Sequence, residues 1–451
     1  MAPAQQASPP PILSVLDTTL VAPSPSAGAA PPESSLPLTF FDVFWLNLPP
    51  VERVFFYRLA ADADVPAILS NLKTSLSQAL HAYYPLAGRL RLTPGTADRY
   101  EVYYQPGDGV TFTVAEYRDD VDVDELAIDQ PREIIRIAPL APPLPKGGAV
   151  LALQATVMRR GLAIGMAVHH AACDGATSTR FLHTWAAAST GAVGPPPPVI
   201  DRTLVKDPTG LYDVFVKAKP TAGEMDRVKT WEHRLLATFT LSKEEIQRVK
   251  DVVASEAGRR GATPPRCSSL VATFGFMWSC HQRTKDTGST GADPTYLLFP
   301  VDHRSRMKPP VPEEYLGNCV GIATHAAPMD QLAAAGGLFI ACTAVAAAID
   351  EAVRGIGSPE TVALWMHRVR EAGVAGMWTV AGSPRFRVYE VDFGFGRPAK
   401  VEIVSVARTG AMAVAEGRSG RGGIEVGISL PAAGMQSFQM CFQDAIDWLH
   451  Q

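Results

Sequence analysis

The run His169-His170-Ala171-Ala172-Cys173-Asp174-Gly175 places an imidazole four residues before a carboxylate that is followed by glycine. A neutral imidazole titrates near pH 6.5, so at neutral pH it can accept a proton from a hydroxyl or an amine. His170 is the expected general base and His169 reads as its packing neighbour. Asp174 could hold the ring, or could pin the turn by pairing with a cation. Cys173 raises a second chemistry, a thiol nucleophile with an acyl-enzyme. His-x-x-x-Asp by itself recurs by chance in many proteins, so its meaning depends on the elements that carry it.

Those elements are legible. Residues 150–158 and 162–170 predict a hairpin joined at Arg159-Arg160-Gly161. Leu162, Ile164, Met166 and Val168 alternate with Ala163, Gly165 and Ala167, the period-two pattern of a half-buried strand. His170 falls at its end on the bulky parity, and the chain then turns at Asp174-Gly175 into a helix through Arg180, Phe181 and Trp185. A scaffold commonly exposes reactive groups at such a junction. Upstream, Asp64-Val65-Pro66 opens a helix with Ile68, Leu72, Leu76, Leu80 and Tyr83 on one face, stopped at Pro85. Downstream, a strand at 234–241 precedes a helix opened by Ser242 with Glu244 and Glu245 in its first turn. Strands are expected near 386–392, 400–408, 411–415 and 424–429, then a helix after Pro431 with Met435, Phe438, Phe442, Ile446 and Leu449 in one stripe.

The chain has 451 residues, enough for two large domains. Residues 1–36, rich in Ala, Pro and Ser, predict an extended leader in which 11–16 could add an edge strand. Gly191 to Pro198 ends in four consecutive prolines, a stiff spacer. The expected division is therefore 1–190, a crossover linker at 191–225, and 226–451. Hydrophobic residues make up 47% and charged residues 19%, a globular composition, and a net charge of -4 gives no overall case for nucleic acid or an anionic membrane. The six cysteines include no Cys-x-x-Cys, and no Cys/His spacing resembles a zinc site, so no metal is expected. Buried reduced thiols in a cytoplasmic protein are the expectation. The start lacks a basic and then apolar region, and no run of 18 apolar residues follows, so neither secretion nor membrane spanning is expected. The run Gly417-Arg418-Ser419-Gly420-Arg421-Gly422-Gly423 could suggest a phosphate or RNA patch, but reads better as a solvated hairpin turn.

Four further segments bear on function: Tyr84-Pro85-Leu86-Ala87-Gly88-Arg89-Leu90, Val301-Asp302-His303-Arg304-Ser305-Arg306, Tyr315-Leu316-Gly317-Asn318-Cys319 and Asp392-Phe393-Gly394-Phe395-Gly396. With His170 and Asp174, in this order and spacing, the chain resembles the plant BAHD acyltransferase family from about residue 11 onward. That family is marked by His-x-x-x-Asp and a distal Asp-Phe-Gly-Trp-Gly. Leu36-Pro37-Leu38-Thr39-Phe40-Phe41-Asp42 and the Tyr315–Cys319 segment resemble the subgroup that acylates flavonoid and anthocyanin glycosides, Leu316 replacing its usual Phe.

The resemblance implies an α/β fold of two chloramphenicol-acetyltransferase-like domains with mixed β-sheets and a channel at their interface. It implies acyl-CoA, malonyl-CoA above all, as co-substrate with no bound cofactor, a phenolic glycoside acceptor, and a cytoplasmic monomer. His170 would take the acceptor proton and return it to the leaving thiolate. Asp174 would pair with Arg304, and Asp392, Gly394 and Gly396 would support the site from a distance. Phe395 replaces the usual Trp, which weakens a catalytic role for that motif and keeps its packing role. Thr379 stands near where relatives offer a hydroxyl to the tetrahedral intermediate. A malonyl carboxylate needs a cation, and Arg180, in the helix just after the base, is the expected one, with Arg306 second. The alternatives are an aromatic (hydroxycinnamoyl) or acetyl donor, an amine acceptor, a carrier-dependent condensation domain, or a degenerate relative that binds small molecules without turnover.

Overall fold

The computed structural model describes residues 12–25, 29–217, 233–285, 293–354, 367–373 and 377–451. The first residues of the leader and the end of the expected linker, 218–225, lie outside them.

The predicted hairpin forms as Leu151–Met158 paired with Gly161–Val168, with Arg160 in a left-handed turn at φ 55°. The second strand is buried on both faces, which corrects the half-buried expectation. Leu162, Ile164, Met166 and Val168 enter the first core, while Ala163 faces a second layer of apolar side chains. The small row follows from close approach: a Cβ on Gly165 would meet the carbonyl of Leu140. This hairpin is central to a six-stranded mixed sheet in the order Leu13–Val21, Val110–Tyr117, Leu151–Met158, Gly161–Val168, Val51–Arg58, Lys400–Ile403.

Helices cover one face of that sheet. Asp64 caps the helix Val65–Ala82 by accepting from the Ala67 N–H at 3.0 Å, and Leu72, Leu76 and Leu80 turn inward. Helix Gly175–Thr190 packs beside it, and the indole of Trp185 donates to the Leu72 carbonyl at 3.0 Å. Gly191, at φ 69°, ends this helix as sequence chemistry requires of a left-handed cap.

The second sheet has seven strands in the order Val320–Pro328, Pro294–Asp302, Met377–Gly382, Met412–Glu416, Ile424–Pro431, Arg234–Leu241, Arg132–Glu133. Helices Lys243–Arg259, Ser269–Arg283, Gly337–Arg354 and Ala432–Leu449 share a core with it, built on Trp278, Leu297, Phe299, Val426, Ile428 and Phe438. One expected strand fails and another is cut short. Residues 386–392 form tight helical turns, because Pro384 withholds a ladder donor and Arg387 sits at φ 53°. The strand from 400 stops at Ile403 and gives way to a helical turn, Val406–Thr409. Among the described residues no helix is long and apolar enough to cross a membrane.

Two strands cross the expected division. Arg132–Glu133 joins the second sheet and Lys400–Ile403 joins the first. Where they cross lies a buried ionic cluster. Lys400, with no exposed surface, donates to Asp129 at 2.8 Å and Thr238 at 2.6 Å, with Glu425 at 3.6 Å and Glu402 at 3.7 Å. Arg132 pairs with Glu402 at 2.6 Å, and Arg418 pairs with Glu425 at 2.8 Å and with Asp129. Three cations thus balance three carboxylates between the sheets. The glycine-rich run containing Arg418 is a hairpin turn whose arginine points inward to this cluster rather than to a phosphate.

Removing one partner from such a cluster leaves buried charge uncompensated, at about 3–5 kcal/mol. Lys400→Met should therefore lower unfolding free energy in denaturant titration by about that amount, with only a weak dependence on salt because Lys400, Glu402 and Glu425 are buried even though Asp129 and Arg418 reach solvent. A loss below about 1 kcal/mol would show that the strands are held together by apolar packing alone.

Candidate active site

Asp174 ends the turn after the central strand and caps helix Gly175–Thr190. Its Oδ1 accepts from the Thr177 N–H at 2.9 Å. Its Oδ2 faces away from the helix, pairs with the Arg304 Nη2 at 2.8 Å and accepts from the Cys319 N–H at 3.2 Å. Both side chains are almost fully buried, and the neighbouring carboxylates hold Arg304 above its ordinary pKa against the opposing effect of burial. The same guanidinium group donates to the carbonyls of Gly317 at 3.2 Å and Tyr315 at 3.4 Å. Asp174 and Arg304 are thus joined, as expected, and together they clamp the loop Tyr315–Cys319 against the helix start.

That loop delivers Asn318 to His170. The Asn318 amide nitrogen donates to Asp42 Oδ1 at 2.9 Å and to the His170 carbonyl at 2.8 Å, both pure acceptors. Its Oδ1 therefore faces the imidazole, where it lies 3.1 Å from Nδ1. An oxygen there can only accept, so Nδ1 carries the proton and Nε2 keeps its lone pair. Nε2 makes no hydrogen bond within the protein among the described residues. Trp45 stacks on the imidazole with centroids 3.9 Å apart and planes 16° apart, which restrains its rotation. Burial pushes the His170 pKa down to about 4, against the raising effect of Asp174 and with a smaller lowering effect from Arg53. The ring is accordingly neutral, a base in one tautomer.

Asp42 anchors this arrangement from the N-terminal segment. Thr39 caps the short helix Phe40–Val43, and its N–H and hydroxyl both donate to Asp42 Oδ2, at 2.8 Å and 2.7 Å. Arg202, from the segment that follows the four prolines, donates to the same oxygen at 3.0 Å and to the Tyr315 hydroxyl at 3.1 Å. Gly317 must lack a side chain, since a Cβ there would run into the Arg202 guanidinium. Sequence reasoning marked the segments containing Asp42 and Asn318 without assigning either a role, and it missed Trp45 and Arg202 altogether. For Asp42 and Asn318 the usable signal was the polar residue inside an otherwise apolar segment.

The other expected residues fall elsewhere. His169 accepts from the Ala171 N–H at 3.2 Å and stays a neighbour of the base. Cys173 is buried, and burial followed by the Asp174 charge pushes its thiol far up, which denies it a thiolate. Thr379 lies on strand Met377–Gly382, on the side opposite Trp378, whose ring stacks on His281. Arg180 is 22% exposed with Glu314 and Glu313 at 3.9 Å and 4.0 Å, and Arg306 donates to the Asp302 carbonyl. Asp392 Oδ1 accepts from the N–H groups of Gly394 at 2.8 Å and Gly396 at 2.9 Å, both at φ above 100°. This tight loop packs on Trp185 and accepts from Ser189 at the C-terminal end of helix Gly175–Thr190, roughly 20 Å of helix from Asp174. Phe395 and Phe393 line a pocket of about 440 Å³ there, remote from the base.

Because Asp174 and Arg304 are a sealed pair, Asp174→Asn and Arg304→Met should each cost about 3–5 kcal/mol. The double variant should cost less than their sum by about 1–3 kcal/mol in a thermal double-mutant cycle. Strict additivity would mean the two charges act independently.

Comparisons with known proteins identify the family and the fold. The description "Transferase family" matches residues 14–445. The chain is 34% identical to Phenolic glucoside malonyltransferase 1 of Arabidopsis thaliana, over 93% of this chain and 94% of that protein. It is 30% identical to the malonyl-coenzyme:anthocyanin 5-O-glucoside-6'''-O-malonyltransferase of Salvia splendens, over 96% and 95%. In fold it is similar to the crystal structure of vinorine synthase, with a TM-score of 0.73 at 18% identity, covering 94% of this chain and 96% of that one. Its two mixed sheets are the chloramphenicol-acetyltransferase-like architecture expected from the motifs. On the family match and full-length relatives, the chain belongs to the BAHD transferase family of acyl-CoA-dependent acyltransferases.

Proposed function

We propose that the chain moves a malonyl group from malonyl-CoA to a sugar hydroxyl of a phenolic, flavonoid or anthocyanin glycoside, with His170 as general base. One observation carries the mechanism: His170 has its Nδ1 proton locked toward Asn318 while Nε2 is left without a protein partner. The substrate class is supported by the relatives, which are named for malonyl transfer to phenolic and anthocyanin glucosides.

In this reading Nε2 accepts the hydroxyl proton as the acceptor oxygen attacks the thioester carbonyl carbon. Collapse of the tetrahedral intermediate breaks the C–S bond, and the imidazolium gives its proton to the departing thiolate. Asp174 does not touch the imidazole through these steps. It keeps Asn318 in place through Arg304 and the Cys319 N–H, and its charge favours the transient imidazolium. Thr379, half-buried on the face of its strand turned away from Trp378, is the proposed hydroxyl donor to the intermediate. His170 and the residues that fix it come from one chain, and the six unpaired thiols suit a reducing compartment, which supports a cytoplasmic monomer.

Incubation with malonyl-CoA and a panel of phenolic glucosides should yield products heavier by one malonyl group. Transfer of no acyl group from any of malonyl-, acetyl- or coumaroyl-CoA would overturn the reading. His170→Ala should lose about 10²–10⁴-fold in kcat with CoA binding kept, and His169→Ala far less. The base is active when unprotonated and its pKa is held near 4, so kcat/KM should rise with pH through about 4 and show no histidine limb near 6.5. Asn318→Leu removes the acceptor that fixes the tautomer. It should depress kcat without raising KM, and nitrogen NMR of His170 should show both tautomers.

A further inference from the structure

Four arginines are deeply buried among the described residues. Three of them have carboxylate partners: Arg132 with Glu402 at 2.6 Å, Arg202 with Asp42 at 3.0 Å and Arg304 with Asp174 at 2.8 Å. Arg53 is the fourth, 3% exposed, and no carboxylate lies within ion-pair distance of it among the described residues. Its Nη1 donates to a neutral hydroxyl, that of Thr179, at 2.7 Å, and its face lies 5.6 Å from the centre of the Phe386 ring. Its Nε is sealed without any partner, and Nη2 has none either. Glu52, next in the chain, points to the other face of the strand and is taken by Arg408 at 2.5 Å.

Nη2 comes within 3.2 Å of the point a Cβ on Gly175 would occupy, so the guanidinium abuts the first turn of helix Gly175–Thr190. That turn is the positive end of a helix of 16 residues. Asp174 takes the Thr177 N–H, while the N–H groups of Gly175 and Ala176 have no acceptor among the described residues, and both residues are partly open. A cation held at a helix N-terminus is doubly unfavourable, and burial lowers the Arg53 pKa to about 10. The same arrangement is favourable for a bound anion. It is also near enough to the base to lower the His170 pKa.

We propose that Arg53 and the first-turn N–H groups of Gly175 and Ala176 form an anion subsite beside His170 that takes the terminal carboxylate of the acyl donor. Malonyl as the donor rests on the function proposed above. Arg180, the cation expected for this role from the sequence, already faces Glu313 and Glu314, whereas Arg53 has no carboxylate within ion-pair distance among the described residues, and Asp174 acts on it only at longer range. A guanidinium can bind a carboxylate through two parallel N–H groups, which gives direction as well as charge. With a neutral donor the subsite stays unfilled, so it selects dicarboxylic acyl groups over acetyl.

The test compares malonyl-CoA with acetyl-CoA on a neutral phenyl glucoside, so that any carboxylate dependence belongs to the donor. Wild type, Arg53→Met, Arg53→Lys and Arg180→Ala are assayed, and each is also titrated with sodium malonate in a thermal shift. Arg53→Met should lower kcat/KM for malonyl-CoA by about 10- to 150-fold, the scale of a charged hydrogen bond, while acetyl-CoA use stays within a few-fold. Arg53→Lys should fall between and covers the case in which the Met variant does not fold. Malonate should raise the melting temperature of wild type and Arg180→Ala but not of Arg53→Met. An unchanged malonyl-to-acetyl ratio in both Arg53 variants, or its collapse in Arg180→Ala alone, overturns the subsite and leaves the proposed function standing. A wild type that uses acetyl-CoA but not malonyl-CoA overturns the malonyl reading instead. The anion subsite then stands if Arg53→Met abolishes the malonate shift and falls if wild type shows none.

Discussion

The buried pair between Asp174 and Arg304 is the constraint on which the site depends. One carboxylate caps the helix that follows the base, pairs with an arginine from beyond strand Pro294–Asp302, and accepts from the Cys319 N–H. Arg304 in turn gathers the carbonyls of Tyr315 and Gly317. With both of its ends held, the Tyr315–Cys319 loop has one conformation in which Asn318 can meet His170. A buried ion pair contributes little net stability compared with apolar packing. Here its value is geometric, since no apolar contact would fix an amide's orientation.

His170 is consequently governed by an amide and not by the carboxylate in its own motif. Asp42 determines which way Asn318 points, Asn318 determines which imidazole nitrogen is protonated, and Arg202 and Thr39 hold Asp42. Four segments of chain from both sides of the linker meet in this chain of contacts. Because the Asp42 carboxylate and the His170 carbonyl can only accept, they fix the orientation of the Asn318 amide, and its oxygen then fixes the imidazole tautomer. Burial keeps the imidazole neutral, and Arg53, the one buried arginine without a carboxylate at ion-pair distance among the described residues, adds to that effect.

The two sheets are bound by exchange. Strand Lys400–Ile403 lies in the first sheet and Arg132–Glu133 in the second, with the buried Lys400 ammonium and its carboxylates between them. Residues from both halves therefore keep fixed positions at the interface where His170 sits. The Asp392 loop serves the same end at the far side: by packing on Trp185 it seats the helix whose other end Asp174 caps.

Sequence alone determined whatever depends on neighbours a few residues apart. Period-two alternation located the hairpin that ends at His170, and Asp64 and Asp174 announced their helices. The separated motifs carried the family and the Asp174–Arg304 pairing. Local pattern misled where a backbone torsion intervened, as at Arg387, or where both faces of a strand were covered, as at Gly161–Val168. Only the tertiary structure decided the partners of His170, because residues 42, 170, 202 and 318 share no local period and a polar residue in an apolar segment does not name its partner. The same holds for Arg53 and Arg180: the sequence pointed to Arg180 alone, and only the fold gave Arg180 two facing carboxylates and left Arg53, among the described residues, with none within ion-pair distance. Charge pairing is settled by distances through space, which a sequence does not contain.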